Sequence, residues 1–227
     1  GTKNLINAMI QSSCKKVIFS STCAVYGTPD VVPLSETLPH RPQSVYAENK
    51  SECERLFLEA SNKHNLECVF LRYFNACGAT ETYGEFHNPE THLIPLILQV
   101  ALNKRKEISI YGNNYDTIDG TCIRDYIHIE DLATAHILAL RKGISGAFNL
   151  GNGNGYSVKQ VIDVCRKITN HPIPSKVVSS REGDSTILIS DSSKAKNDLG
   201  WTPKYPDLES IITSAWKWHK SHPDGYS

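Results

Sequence analysis

Hydrophobic positions in the first third of the chain alternate between helical spacing and short continuous runs. The opening segment has apolar residues three and four positions apart, as on a helix face: Leu5, Ile6, Met9 and Ile10. An apolar run at residues 15–21, a proline-rich loop, a helical pattern over about residues 46–62 and the run "ECVFLRYF" follow. Strands that alternate with helices are typical of a parallel sheet, so we predict an α/β fold.

The rest of the chain continues this pattern with shorter strands. Helical spacing predicts helices near residues 92–103, 130–141 and 208–220, and the runs "ISIYG" and "GAFNLG" predict strands. Ser157 and Gln160 stand in the positions of a capping box, which predicts that a further helix begins there. We therefore expect two closely joined α/β lobes.

Charge and cysteine content narrow the classes of function. The 24 Lys and Arg residues balance the 24 Asp and Glu residues, so no excess of positive charge favours nucleic acid or an anionic membrane as partner. The longest largely apolar stretch, "LIPLILQVAL", is too short to cross a bilayer. Seven cysteines without a C-x-x-C pair indicate reduced thiols and a cytoplasmic protein. The nine histidines show no metal-ligand spacing, so we expect no metal site.

Polar side chains collect where the first two predicted strands end. Ser20, Ser21 and Thr22 end the first run, and Tyr73 and Asn75 end the second. The carboxyl ends of parallel strands meet at one edge of a sheet, where α/β proteins bind their ligands. We therefore expect these side chains to lie near one site.

Tyr46 and Lys50 stand one helical turn apart and are candidates, with Thr22, for a catalytic group. Tyrosine becomes a useful base near neutral pH only if its pKa falls by about 3 units, which takes roughly 4 kcal/mol. A nearby ammonium group acts in that direction, and an oxidised nicotinamide ring would add a second positive charge. The alternative is an exposed helix start with Lys50 in solvent. The tyrosine–lysine spacing alone favours that alternative, whereas the strand-end position of Thr22 favours catalysis.

Seven segments of the chain resemble one group of enzymes. The segments "IFSSTCAVYG", "VYAENK" and "RYFNACGA", in this order, resemble the extended short-chain dehydrogenase/reductase superfamily. The segments "YGNNYDTIDGTCIRDYIHIEDLATAH", "FNLGNGNGYSV", "REGD" and "HPDGYS" resemble its UDP-glucose 4-epimerase family. The resemblance implies an isomerase of galactose metabolism that uses NAD to oxidise a UDP-sugar transiently at C4.

The resemblance also implies roles for individual residues. Catalytic roles fall on Thr22, Tyr46 and Lys50. Cofactor binding falls on Ser20, Ser21, Tyr46, Lys50 and Tyr73. Substrate binding falls on Thr22, Asn75, Leu93, Tyr111, Arg124, Tyr126, Val158, Arg181, Asp184 and Leu188. At Leu188, which the family places near the sugar 2-substituent, a leucine is smaller than a tyrosine, so we expect some tolerance of UDP-N-acetylglucosamine.

The implied architecture is a Rossmann-like parallel sheet with a smaller substrate lobe. Residues 1–76 would form the C-terminal half of the NAD-binding domain, and residues 77–227 the nucleotide-sugar-binding lobe, with about 123–142 returning to the first. A homodimer is implied, in which the opening helix and the Tyr46 helix of each subunit form a four-helix bundle. Three apolar residues of the second helix would serve this bundle or, equally, cover their own sheet: Leu56, Phe57 and Ala60.

One expected feature of the family has no counterpart in the sequence. The glycine-rich loop that binds the NAD pyrophosphate is missing, so we expect an N-terminally truncated fragment that is inactive alone. The segment "GNGNGYS" has the wrong spacing and lacks an acidic residue about 20 positions later. We interpret it as a tight turn in the substrate lobe.

Other functions on the same scaffold stay open at this point. A sugar-nucleotide 4,6-dehydratase needs an Asp-Glu acid–base pair directly after the threonine, where this chain has Cys23 and Ala24. A UDP-N-acetylglucosamine 4-epimerase is a further alternative, as is a reductase or decarboxylase that acts on a related nucleotide sugar. A non-catalytic nucleotide-binding module would be expected to lose the tyrosine or the lysine, and both are present.

Overall fold

The computed structural model describes residues 1–141, 143–181 and 183–226. The helices are α1 Thr2–Gln11, α2 Val45–His64, α3 Leu93–Ala101, α4 Ile129–Ala139, α5 Val158–Thr169 and α6 Leu208–Ser221. The strands are β1 Lys16–Thr22, β2 Glu67–Tyr73, β3 Asn75–Cys77, β4 Ile108–Tyr111, β5 Ile123–Arg124, β6 Tyr126–His128, β7 Gly146–Leu150, β8 Tyr156–Ser157, β9 Ser175–Val178 and β10 Ile187–Leu188. A 3₁₀ turn covers Cys23–Tyr26, and a π-helical turn covers Ala195–Leu199.

The main sheet has β2 in the centre, with β1 and β7 parallel to it on either side. Alternate side chains of β2 face opposite layers, as the period of a strand requires. Cys68 and Phe70 pack against α1 and α2, and Val69 and Leu71 pack in a second cluster with α4 and Trp201. Both faces of the sheet are therefore covered, and the α/β prediction is confirmed.

Local capping fixes where α2 begins and ends. The Ser44 side chain accepts a hydrogen bond from the Ala47 amide at 3.2 Å, and Glu48 lies in the positive first turn. Asn65 ends the helix in the left-handed conformation, with φ 55°. This start places Tyr46 in the first turn and Lys50 one turn later.

The second lobe is built around α3, α5 and α6. Their apolar faces form one core with β4, including Ile97, Ile162 and Ile212, all almost fully buried. The predicted capping box is present, because Ser157 and Gln160 each accept a hydrogen bond from the other's backbone amide. Pairing of β3 with β6 brings the chain back beside the main sheet.

The returning segment extends further than the predicted residues 123–142. Strand β7, at Gly146–Leu150, pairs with β2, and the Trp201 indole donates a hydrogen bond to the Asp131 carbonyl at 2.9 Å. Segments beyond residue 142 thus contact the main sheet and α4. The division of the sequence into lobes at residue 76 stays a prediction.

The segment "GNGNGYS" forms a turn around a buried carboxylate. Asp125 is fully buried, and its carboxylate accepts hydrogen bonds from the amides of Asn152, Gly153 and Ser190, each at 3.0 Å. Gly153 has φ +77°, which favours glycine. The amides that would cradle a phosphate are therefore used by the protein itself, as the interpretation of a tight turn requires.

The described helices include none that is both long enough and apolar enough to span a lipid bilayer.

A buried ion pair joins α2 to the main sheet. The Arg72 guanidinium, on β2, donates to the two oxygens of the Glu54 carboxylate at 3.0 and 2.6 Å, and both side chains are almost fully buried. The Ser21 hydroxyl donates to the same carboxylate at 2.5 Å, and Arg72 also donates to the Tyr26 hydroxyl at 2.9 Å. These bonds satisfy two charges that would be costly to bury alone.

Replacing Glu54 by leucine leaves the Arg72 charge buried without its anion. We expect Glu54→Leu to lower the free energy of unfolding by about 3–5 kcal/mol, measured by urea denaturation. The double variant Glu54→Leu/Arg72→Met removes both charges and should recover part of that loss. Glu52→Leu, which breaks an exposed pair with Arg55 on the same helix, should change stability little. Equal losses at positions 52 and 54 would contradict the importance of the buried pair.

Candidate active site

A cavity of about 690 Å³ lies between the ends of β1 and β2 and the second lobe. Twelve of the predicted site residues line it: Thr22, Tyr46, Tyr73, Asn75, Leu93, Tyr111, Arg124, Tyr126, Val158, Arg181, Asp184 and Leu188. They come from segments far apart in sequence, and the fold brings them together. Lys50, Ser20 and Ser21 are outside this set.

Thr22 and Tyr46 approach the cavity from different elements. Thr22 is the last residue of β1, lies opposite Tyr73 in the parallel register, and accepts a hydrogen bond from the Ala24 amide at 3.2 Å. Tyr46 projects from the first turn of α2, with 56% of its surface exposed. The two hydroxyl-bearing side chains therefore share one end of the cavity.

Lys50 lies behind Tyr46. Its ammonium group donates a hydrogen bond to the Ser20 carbonyl at 2.8 Å and lies 5.7 Å from the centre of the Tyr46 ring. It also lies 4.9 Å from the centre of the Phe19 ring. One of its three protons is thus used to hold the lysine in place, which leaves two for a ligand.

The pKa of Tyr46 differs from the expectation. Burial raises the pKa above its ordinary value of 10.0, the Thr22 hydroxyl acts in the opposite direction, and Tyr73 and Cys23 raise it further. The Lys50 ammonium donates its hydrogen bond to the Ser20 carbonyl and makes none to the Tyr46 hydroxyl among the described residues. With the groups of this chain alone, Tyr46 is therefore a neutral phenol at physiological pH. A phenolate there requires an additional positive charge.

The side chains of Ser20 and Ser21 do not line the cavity. The Ser20 hydroxyl lies 3.2 Å from the His136 Nε2 atom, and the Ser21 hydroxyl is fully buried against Glu54. Their hydroxyls therefore serve the fold, and cofactor binding by these two residues stays a prediction that depends on their backbone.

The two arginines predicted to bind substrate already have partners within the chain. One guanidinium nitrogen of Arg124 donates to Asp184 at 2.5 Å, and the other donates to the Ile123 carbonyl at 2.9 Å. The Arg181 guanidinium lies 3.9 Å from the centre of the Tyr111 ring, within cation–π range. Both arginines line the cavity. A diphosphate there would compete with Asp184 for Arg124, and it would contact the exposed side of the Arg181 guanidinium.

The structure adds lining residues that the sequence analysis missed. Arg105 contributes a third arginine, from the loop before β4. Glu85, His87 and His92 line the cavity from the loop that precedes α3. Their spacing, Glu-x-His-x-x-Glu-x-His from residue 85, is the sequence feature that could have drawn attention to this loop.

Comparison with known proteins places the chain in a family. The NAD dependent epimerase/dehydratase family matches residues 1–151. The chain belongs to this family. A UDP-glucose 4-epimerase of Halalkalibacterium halodurans is 52% identical over an alignment 233 residues long, which covers 100% of this chain and 70% of that relative.

Two solved structures are close in fold to this member of the family. The UDP-glucose 4-epimerase of Bifidobacterium longum, in complex with NAD+ and UDP, has a TM-score of 0.94 at 36% identity, covering 99% of this chain and 69% of that one. The UDP-Glc/GlcNAc 4-epimerase of Campylobacter jejuni has a TM-score of 0.80 at 41% identity, covering 97% and 69%.

The raised pKa of Tyr46 gives a direct titration test. The test compares the wild type with Tyr46→Phe, without added ligand, in a pH titration followed by the near-ultraviolet absorbance of phenolate. Below pH 10.0, the wild type should show no phenolate signal that is lost in the variant. Because the folded protein favours the neutral phenol, its ionisation should begin at higher pH than in the unfolded chain. A phenolate band at pH 7 that is lost in Tyr46→Phe would contradict this.

Proposed function

We propose that the protein is an isomerase that interconverts UDP-glucose and UDP-galactose with NAD as its cofactor. The observation that carries this proposal is the meeting of Thr22, Tyr46 and Tyr73 at one end of a cavity whose other walls hold Arg124 and Arg181. Reactive hydroxyls and cations that line the same cavity match a sugar attached to a diphosphate. The names of the relatives support the same substrate class.

The residues at the strand ends fit the nicotinamide half of NAD. Within the part of the chain that the structure describes, the Lys50 ammonium donates one hydrogen bond, so two N–H groups suit the hydroxyls of a ribose, and the Tyr73 ring lines the cavity. When bound, NAD supplies a hydride acceptor for the sugar C4 and then returns that hydride, so the overall reaction needs no external reductant. The positive charge of its ring would add to that of the Lys50 ammonium in favouring the Tyr46 phenolate.

In the proposed mechanism, Tyr46 removes the proton from the sugar 4-hydroxyl. Thr22 is placed to hydrogen-bond the same oxygen, because it lies beside Tyr46 and opposite Tyr73 in the sheet. Lys50 holds its position through the Ser20 carbonyl and stabilises the phenolate electrostatically once Tyr46 ionises. After the sugar turns, Tyr46 returns the proton.

The substrate lobe would hold the uridine diphosphate. Arg124 and Arg181 offer charge-assisted hydrogen bonds to the diphosphate oxygens, which at Arg124 replace the bond to Asp184. Asn75 uses its amide N–H₂ on the Asp125 carbonyl at 2.8 Å, which fixes its orientation beside the cavity. The proposed role of these residues is to bind and orient, with the chemistry left to the strand ends.

A dehydratase is disfavoured by the residues that follow Thr22. Burial raises the pKa of the Cys23 thiol to about 12, so it is a weak proton donor, and Ala24 has no ionisable group. No acid–base pair for loss of water therefore stands at these two positions. A purely binding function does not require a tyrosine and a lysine in this arrangement.

We further propose a cytoplasmic homodimer. Its seven cysteines are all free thiols, as a reducing compartment allows. Leu5 of α1 and Leu58 of α2 are 51% and 54% exposed, and they offer apolar contacts to a second copy. Phe57 and Ala60 instead cover their own sheet. Sedimentation velocity would measure the mass in solution, and a monomer would refute the dimer.

The epimerase proposal is tested by turnover of UDP-galactose. Protein made from its complete reading frame should form UDP-glucose without added reductant, and Tyr46→Phe should lower kcat about 10²- to 10⁴-fold, the usual contribution of general acid–base catalysis. Tyr83→Phe is the matched control, because Tyr83 is 67% exposed and does not line the cavity. It should keep full activity. Normal turnover by Tyr46→Phe, or none by the folded wild type with NAD bound, would refute the proposal.

Leu188 offers a test of sugar selectivity. It lines the cavity and pairs with Arg124 across β10 and β5, so a larger side chain there narrows the space beside the arginine. We expect the wild type to accept UDP-N-acetylglucosamine, and Leu188→Tyr to lower kcat/KM for it about tenfold or more relative to UDP-galactose. Equal rejection of the N-acetylated sugar by the wild type and Leu188→Ala would contradict this.

A further inference from the structure

Two histidines and two glutamates meet in the loop before α3. Glu85, His87, Glu90 and His92 each direct one ligand-capable atom to a common point, and these four atoms all lie within 4.8 Å of one another. They alternate along eight residues of sequence, so the loop must fold back on itself to bring them together. The reaction proposed above assigns none of them a role.

Two of the distances between these groups are those of hydrogen bonds, and two are close to the spacing of ligands around a tetrahedral ion. His92 Nδ1 lies 2.9 Å from Glu85 Oε1 and 2.9 Å from Glu90 Oε1. His87 Nδ1 lies 3.3 Å from Glu85 Oε1 and 3.6 Å from Glu90 Oε2. Four ligands at the usual zinc bond lengths of about 2.0–2.2 Å would be about 3.3–3.6 Å apart. Small adjustments of the side chains would therefore complete such a site.

The cluster is held in place by the backbone. Both carboxylates are shielded from solvent, with exposed fractions of 16% for the Glu85 side chain and 5% for Glu90. Glu90 Oε1 accepts hydrogen bonds from the amides of Thr91 and His92, both at 2.7 Å. These bonds fix the carboxylate at the start of α3, in the way that an outer shell orients metal ligands.

Charge balance points to a cation at the centre. Two shielded carboxylates need two compensating positive charges, which one divalent ion provides while both imidazoles stay neutral. The positive end of the α3 dipole opposes a cation there, but the Glu90 carboxylate lies against that helix end and offsets it. The nearest ammonium group of the bordering groove, on Lys104, is paired with Asp224 at 2.8 Å.

We propose that Glu85, His87, Glu90 and His92 bind one divalent metal ion, with Zn²⁺ as the preferred occupant. Two imidazole nitrogens with two carboxylate oxygens suit zinc, whereas Mg²⁺ and Ca²⁺ take oxygen ligands. The ion fastens the loop to the first turn of α3, where Leu93 lines the cavity. Glu85, His87 and His92 also line the cavity, but the proposed epimerase chemistry uses none of them.

Zinc titration of metal-free protein tests the site. Isothermal calorimetry on the protein from its complete reading frame should show one Zn²⁺ per chain, and His87→Gln and Glu85→Gln should each weaken binding at least about tenfold. The matched controls are His64→Gln and Glu81→Gln, which change exposed residues outside the cluster. They should bind Zn²⁺ as the wild type does. Mg²⁺ in place of Zn²⁺ should give no comparable heat.

Thermal unfolding gives a second measurement that does not depend on activity. Zn²⁺ should raise the midpoint of the wild type and of both controls, and leave His87→Gln unchanged, while all proteins unfold at similar temperatures without metal. If His87→Gln is itself destabilised, His92→Asn serves as the second variant. The proposal is overturned if the wild type binds no Zn²⁺ saturably, which would leave the cluster as histidine–glutamate ion pairs. It is equally overturned if the cluster variants bind as tightly as the wild type.

Discussion

The parallel register of β1, β2 and β7 is the constraint on which the rest of the structure depends. It sets Thr22 opposite Tyr73 and Tyr73 opposite Leu150, so three chain segments end at one edge. The buried pair of Glu54 and Arg72 then ties α2 to this sheet, which fixes the helix that carries Tyr46. The geometry of the candidate site thus follows from backbone pairing and one ion pair, with the cavity residues added at the ends.

Much of this architecture was predictable because its determinants are local. Helical spacing, the Ser157–Gln160 capping box and the apolar run of β2 each act within a few residues, and the helices and strands that they predict are present. The lining residues were predictable for another reason, since they stand in motifs that resemble a known family. Those motifs do not determine the geometry of the side chains.

The rest depends on contacts between distant segments. Nothing near Lys50 in sequence shows that its ammonium turns to the Ser20 carbonyl. The burial that raises the pKa of Tyr46 likewise depends on the fold. The return of β7 to the main sheet depends on packing with Trp201, and the grouping of Glu85 with His92 depends on how one loop folds. Tertiary placement decides each of these.

The ion pair between Arg124 and Asp184 has a consequence for which anions the cavity retains. A guanidinium that already has a carboxylate partner exerts little net attraction, so inorganic phosphate gains little by entering. A larger ligand offsets the loss of the Arg124–Asp184 pair through its other contacts with the cavity walls. Asp184 re-forms the pair with Arg124 when the ligand departs, which shortens the residence time of the ligand. At Arg124, the cavity therefore favours longer ligands over small anions.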